Sequence, residues 1–426
     1  MLLRNCVAFM HNKKILLLFL QTFRITNYNI YKNMDRILGI KLKHFAIGVF
    51  SVTVLAACSL GDTDTLGNYK KETITVDSLD YKSKLLTKEQ YSIDSVCSLE
   101  WPQDIQYYSI SNFIVKNKRA YVQINSYNNS VFVFDANGKF LWKKGDYNNI
   151  ETADEFETFF VDNNNNLHTF CYREQRIDVF DSDGKSLRKI NTRYEHPLSI
   201  GVTGNGQYLY SFMENTCGAA LAICDNKGNI QKKLIPFGKK YSYRPYQGFF
   251  FQNGNRLSHI PLLSDSILVF NSDTLEKVVK VDFKGRFILD VIPDVITSAV
   301  EDDTTIKLGQ FNGVKSVSEY QETEDFIFYD FSCSRLHFYA GRRLIRKKTN
   351  ETLSLWSLFE GLNPFFCPFL LDDKLVFFVS EETVEAIRSR PRDEKFMEEY
   401  NKSAPQVQAL IDGKIKTPAI FYISLK

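Results

Sequence analysis

The 426-residue chain has little of what helical bundles, disordered chains and nucleic-acid binders need. It holds five Met and 11 Pro, too few for a Met-rich helical bundle or a Pro-rich disordered chain. Neither charge sign dominates. The formal net charge is +3, but residues 1–57 carry eight Lys or Arg and only one acid, Asp35. Removing them from totals of 53 and 50 leaves 45 basic against 49 acidic residues. A mildly acidic body lacks the concentrated basic face that nucleic acid requires, so no nucleic-acid partner is expected. No Cys-x-x-Cys pair, phosphate-cradling Gly loop, Gly-x-Ser-x-Gly elbow or His-Glu-x-x-His pair occurs. That shifts weight from catalysis toward binding, and no cofactor is expected.

Aromatic side chains are plentiful, with 35 Phe and 22 Tyr, or 14% aromatics with Trp. Flat rings pack well on pleated sheets, so the enrichment favours strands. Four copies of one hairpin bear this out. Val131–Lys139, Ile177–Lys185, Leu221–Asn229 and Ile267–Leu275 each run from a β-rich stretch into Asp or Asn. The marker residues are Asp135, Asp181, Asp225 and Asn271, spaced 46, 44 and 46 apart. In the first three, Gly follows three residues later and supplies the positive φ of a tight turn, while the Asp side chain accepts from the turn backbone. A degraded fifth copy is read at Leu336–Arg342. Two further strand-like runs precede each hairpin, and four strands per repeat of this length mark a propeller blade.

The fold class expected is therefore all-β: a six-bladed β-propeller with four-stranded antiparallel blades. The blades are read at 108–145, 156–191, 198–236, 248–283, about 314–348, and 364–380 with 417–425. Pro418–Leu425 needs a partner, and Tyr91–Trp101 supplies the outer strand of the last blade, closing the ring with both ends of the domain. Within the interruption at 383–416, the charged stretch Pro391–Tyr400 reads as a short surface helix.

The N-terminus reads as an address. Residues 1–33 are taken as an extension from an early start, and 34–57 as a signal peptide opening at Met34-Asp35-Arg36. Lys41 and Lys43 precede the uncharged run Phe45–Ala57, too short to span a bilayer. It ends in Leu55-Ala56-Ala57-Cys58, which resembles a bacterial lipobox and implies lipidation of Cys58 and a membrane anchor. A polar tether at 58–90 and the propeller at 91–426 follow. Ser59–Asp64 resembles the acidic export signals of Bacteroidota lipoproteins. The expected location is the outer membrane, facing the periplasm or the cell surface.

Together the lipobox, the Phe-Asp-x-x-Gly hairpins, Tyr243–Phe249 and Leu262–Ile267 leading to Val281–Gly285 resemble the six-bladed, NHL-like propeller lipoproteins of Bacteroidota. The resemblance covers roughly residues 90–426 and implies the fold, with no catalytic residues to carry over. The segment Lys144–Asn149 departs from the Gly-rich loop usual between the first two blades.

Three function classes follow. The first is a binding module for a glycan, peptide or partner protein. Arg173, Arg193, His196, Tyr243, Arg244 and Tyr246 fall in connections that gather at one mouth, where aromatics stack and Arg forks onto carboxylates. The second is a lactonase-like hydrolase or lyase, with calcium held by Glu174, Asn215 and Asp265 near second-to-third-strand connections of successive blades. The third is a structural part of an envelope complex. His168, His196, His259 and His337 read as core or surface histidines, and Cys224 as a small buried hydrophobe.

Overall fold

The computed structural model describes residues 69–77, 79, 85–102, 110–124, 130–145, 158–193, 195–212, 219–236, 249–261, 264–288, 313–333, 341–355 and 358–426. Two strands precede the first full blade: β1 (Lys70–Thr75) and β2 (Tyr91–Ser98). Blade one holds β3 (Ile110–Lys116), β4 (Arg119–Ile124), β5 (Ser130–Phe134) and β6 (Phe140–Lys144). Blade two holds β7 (Thr158–Val161), β8 (Leu167–Cys171), β9 (Arg176–Phe180) and β10 (Ser186–Asn191). Blade three holds β11 (Ser199–Val202), β12 (Tyr208–Ser211), β13 (Ala219–Cys224) and β14 (Ile230–Pro236). Blade four holds β15 (Phe249–Asn253), β16 (Arg256–Ile260), β17 (Ser266–Asn271) and β18 (Thr274–Asp282). Blade five holds β19 (Val314–Glu322), β20 (Phe326–Cys333), β21 (Arg343–Arg346) and β22 (Glu351–Ser354). Blade six holds β23 (Phe366–Leu371), β24 (Lys374–Val379), β25 (Ala419–Leu425) and, outermost, β2.

Six antiparallel four-stranded blades in a ring make this the expected propeller. The closure is as read from the sequence: β2 pairs with β25 from Tyr91↔Leu425 to Ser98↔Ala419. Two details differ. The outer hairpin of blade five turns at 347–350, beyond the degraded copy at Leu336–Arg342. Its turn is Lys347-Lys348-Thr349-Asn350, with Asn350 at φ 53°, so it carries neither the Asp nor the Gly of the repeat. Within the segment read as polar tether, β1 adds a fifth, parallel strand to the outer edge of blade four.

The hairpin turns show why the repeat reads as it does. Asp135 Oδ1 accepts from the backbone N–H of Asn137 at 2.8 Å and of Lys139 at 3.0 Å. Asp181 does the same for Asp183 and Lys185, both at 2.9 Å, and Asp225 for Lys227 and Asn229 at 2.8 and 2.9 Å. Gly138 holds φ 81° there, and a Cβ on it would lie 2.0 Å from the Ser98 carbonyl oxygen of the closing strand. The clamp therefore also seats blade one against blade six.

Antiparallel connectivity gives the ring two unlike ends. First-to-second and third-to-fourth strand connections share one end, and most are turns of two to five residues. We call it the tight-turn end. Second-to-third and blade-to-blade connections share the other, open end, and include far longer segments such as 283–313 and 380–418. At the tight-turn end, bonds run between blades. Lys116 Nζ donates to Val161 O of blade two at 2.9 Å and to Gly254 O of blade four at 3.4 Å. Asn163 Nδ2 donates to Asn255 Oδ1 at 2.8 Å. Gln252, buried, accepts from Val161 N at 3.2 Å and donates to Val202 O at 3.1 Å, satisfying backbone groups that inner strand edges leave open.

Four hydrophobic clusters fill the gaps between blades. Cys224 lies fully buried in one of them, with Tyr208, Tyr210 and Phe270. The interruption of blade six forms α1 (Glu381–Arg388), α2 (Glu394–Lys402) and α3 (Pro405–Ile411). Ser380 and Asp393 cap the first two by accepting from Thr383 N and Phe396 N. The helix expected in Pro391–Tyr400 is thus α2, but it is no mere surface decoration: Phe396 is fully buried. Val384, Phe396, Val407 and Leu410 join Phe377, Phe421 and Phe359 in one core. Among the described residues no helix is long and apolar enough to cross a membrane.

Candidate functional site

The open end of blade two carries the densest set of the expected site residues. Its second-to-third-strand turn is Tyr172–Gln175, and the connection to blade three runs from Thr192 to Leu198. Gln175 holds the two together. Its backbone takes a left-handed φ of 51°, which turns its buried amide inward. Nε2 donates to Tyr172 O at 2.8 Å and Pro197 O at 3.3 Å, and Gln175 O accepts from Thr192 N at 2.8 Å. His196 N donates to Thr192 O at 2.7 Å, and its ring meets Tyr172 edge-on at 5.8 Å between centroids. These bonds tie the two connections to one another.

Beside it lies a depression of about 230 Å³ lined by Glu174, Arg176, Lys189, Asn191 and Arg193. Register explains the grouping: β9 and β10 pair Asp178 with Lys189 and Arg176 with Asn191. Arg176 is already committed. Its Nε and Nη2 donate to Asp178 Oδ1 and Oδ2 at 3.0 and 2.9 Å, and Nη1 donates to Glu174. Lys189 and Arg193 are exposed, and neither has an ion pair among the described residues. Among the described residues the Arg193 guanidinium makes one long contact, to Glu174 O at 3.5 Å through Nε. The depression therefore offers two cations without an ion pair among the described residues, a locked guanidinium, a carboxylate and an amide.

Of the residues expected to bind ligand, Arg173, Arg193 and His196 thus fall on neighbouring connections of one blade, with Arg193 in the depression. Tyr243, Arg244 and Tyr246 lie outside the described residues, as do Cys58 and the metal candidate Asn215. The other two metal candidates lie on different blades, two and four. Glu174 pairs with Arg176, and Asp265 faces Lys280 of its own blade at 3.6 Å. Among the described residues, no three His, Cys, Asp or Glu side chains group as metal ligands.

The histidines follow their bland reading where they are described. His168 is fully buried between Tyr208 Oη at 3.0 Å and Asp162 Oδ2 at 3.3 Å, and burial holds its pKa down despite that carboxylate. His259 is buried against Phe250, centroids 4.4 Å apart. His337 lies outside the described residues.

Lys189 was missed by sequence reasoning, because it sits in an ordinary polar outer strand and only the register brings it to the depression. A second missed feature is the cross-strand pair Glu319↔Asp330 in blade five. Burial raises both carboxyls, Glu319 to about 7, while Arg342, 3.5 Å from Asp330 Oδ2 through Nε, opposes the rise. The sequence signal there is a lone acid, Asp330, within the strongly aromatic strand Phe326–Cys333.

A family profile described as a six-bladed beta-propeller matches residues 67–363. The solved structure of a protein from Bacteroides fragilis described as exported superposes with a TM-score of 0.59 at 15% identity, covering 84% of this chain and 100% of the other. A member of the DUF4221 family from Bacteroides vulgatus gives 0.43 at 10% identity, covering 79% and 97%. At 15% identity the likeness to the Bacteroides fragilis protein is one of fold alone. No curated protein matches the sequence.

Proposed function

Because the chain belongs to the family of six-bladed β-propellers whose profile spans residues 67–363, we propose that it is a cell-envelope lipoprotein, anchored through Cys58, whose open end binds an anionic ligand in the blade-two depression. The observation that carries this reading is the pair of uncommitted cations, Lys189 and Arg193, beside a guanidinium fixed by two acids. A planar Arg fork and a Lys point charge together suit a carboxylate. Asn191 and Glu174 add groups that bond hydroxyls. A carboxylated glycan meets both demands and is the favoured member of the glycan, peptide and partner-protein classes. The description of the Bacteroides fragilis protein as exported accords with an envelope location. The calcium-dependent alternative would require Glu174 and Asp265 to exchange the basic partners they now hold for the ion.

Two experiments test the two halves. Metabolic labelling with a fatty acid is expected to tag the wild type and miss Cys58→Ala; a label that persists in the variant ends the anchoring claim. On a glycan array, binding is expected on uronate-bearing saccharides and lost in Lys189→Glu with Arg193→Glu. Undiminished capture by that variant removes the depression as the site.

A further inference from the structure

The N-terminal strand docks with a definite direction. β1 pairs in parallel with β18, from Lys70↔Lys277 to Thr75↔Asp282. β18 leaves the Ser272-Asp273 turn at the tight-turn end and runs toward the open end. A parallel neighbour runs the same way, so at Lys70 the chain comes from the tight-turn side of blade four.

This docking is built, not incidental. Ile74 and Val76 are buried with Val279, Val281 and Phe283. Val76 N donates to Asp282 O at 2.9 Å, and Arg286 Nη2 donates to Val76 O. Glu72 Oε2 accepts from Lys277 Nζ at 2.7 Å, and Lys277 is only 5% exposed. The same ammonium reaches Glu322 of blade five at 2.6 Å, which also takes Lys347 at 2.5 Å and the Tyr320 hydroxyl at 2.8 Å. Removing one member of such a buried set leaves a charge without its partner, which is costly. A loosely attached tether has no use for it.

We infer that β1 sets the polarity of the propeller on the membrane: the tight-turn end faces the lipid surface, and the open end, with the blade-two depression, faces away. This rests on the lipidation of Cys58 proposed above. The eleven residues 59–69 span at most about 40 Å, which sets an upper limit on how far the lipid can lie from the strand's entrance. The two ends suit these roles. The tight-turn end is tied shut by Lys116, Asn163 and Gln252, whereas the open end carries the uncommitted cations.

The test is energy transfer from a fluorophore to acceptor lipids, on full-length acylated protein bound to phosphatidylethanolamine/phosphatidylglycerol vesicles. The fluorophore is placed, through a noncanonical amino acid, at position 183 in the third-to-fourth-strand turn of blade two or at position 173 at its open end. Both positions are exposed. Transfer is expected to be several-fold stronger from 183 than from 173. Glu72→Ala with Ile74→Asn, which undocks β1, is expected to bring the two signals together while vesicle binding persists. Equal transfer from both positions in the wild type, or stronger transfer from 173, overturns the polarity. Absence of acyl label and of vesicle binding overturns instead the anchoring on which it rests.

Discussion

The two ends of the ring obey different rules. At the tight-turn end, polar side chains spend their bonds on the backbone: Asp135, Asp181 and Asp225 clamp their own turns, and Asp162 clamps Asn164 and Asn166 at 2.8 and 2.9 Å. Lys116 and Gln252 bridge blades. At the open end of blade two, the buried Gln175 does the holding, and Lys189 and Arg193 are left over. The comparison teaches that polarity alone says little about function. A polar group whose bonds are satisfied within the fold is architecture, and one left free on a rigid frame is a candidate for a ligand.

The sharpest break of this contrast is Gly138→Ala. The added Cβ meets backbone at 2.0 Å in a residue held at φ 81°, and no rotation of a side chain relieves it. We expect a loss of about 3 kcal/mol in urea unfolding, with the outer strand of blade six exchanging its amide hydrogens faster. Asp181→Ala removes two backbone acceptor bonds but no volume from the core, and is expected to cost about 1 kcal/mol in the same assay.

Lys116 sharpens the comparison through pH. Burial lowers its ammonium pKa to about 8, with Asp162 opposing. In the unfolded chain the same group titrates near its ordinary 10.5. Between those values the unfolded state binds more protons, so stability gains from this group as pH rises from about 8 to 10.5. Wild type minus Lys116→Met, measured by urea midpoints across that window, is expected to climb with pH. A flat difference contradicts a half-buried ammonium with a lowered pKa at the tight-turn end. The smallest stability effect is expected at the open end, where Lys189→Ala with Arg193→Ala should stay within about 0.5 kcal/mol of wild type.

What was legible in the sequence follows the same division. Turns whose Asp and Gly act on their own backbone announce themselves, so blades one to three were readable residue by residue. Blade five begins where its sequence suggests, but its outer hairpin is hard to place because the turn at 347–350 uses Asn350 in the left-handed region without the marker pair. β1 escaped because Lys-Lys-Glu-Thr-Ile-Thr is mostly polar; it becomes a strand by pairing with an existing edge, and its one strongly informative residue, Glu72, has its partner 205 positions away. At the site, spacing placed Glu174 and Asp265 on equivalent connections but was blind to Arg176 and Lys280, which engage them through local register. Lys189 needed the β9–β10 pairing to be seen at all.

The most direct test of the division between the ends is a titration with an oligogalacturonate, run side by side on wild type, Asp181→Ala and Lys189→Ala/Arg193→Ala. The account predicts saturable binding that weakens with salt, near-wild-type affinity for the less stable Asp181→Ala, and at least about tenfold weaker binding for the fully stable double variant. Equal affinity across all three proteins, or a loss that tracks stability and not the two cations, contradicts it.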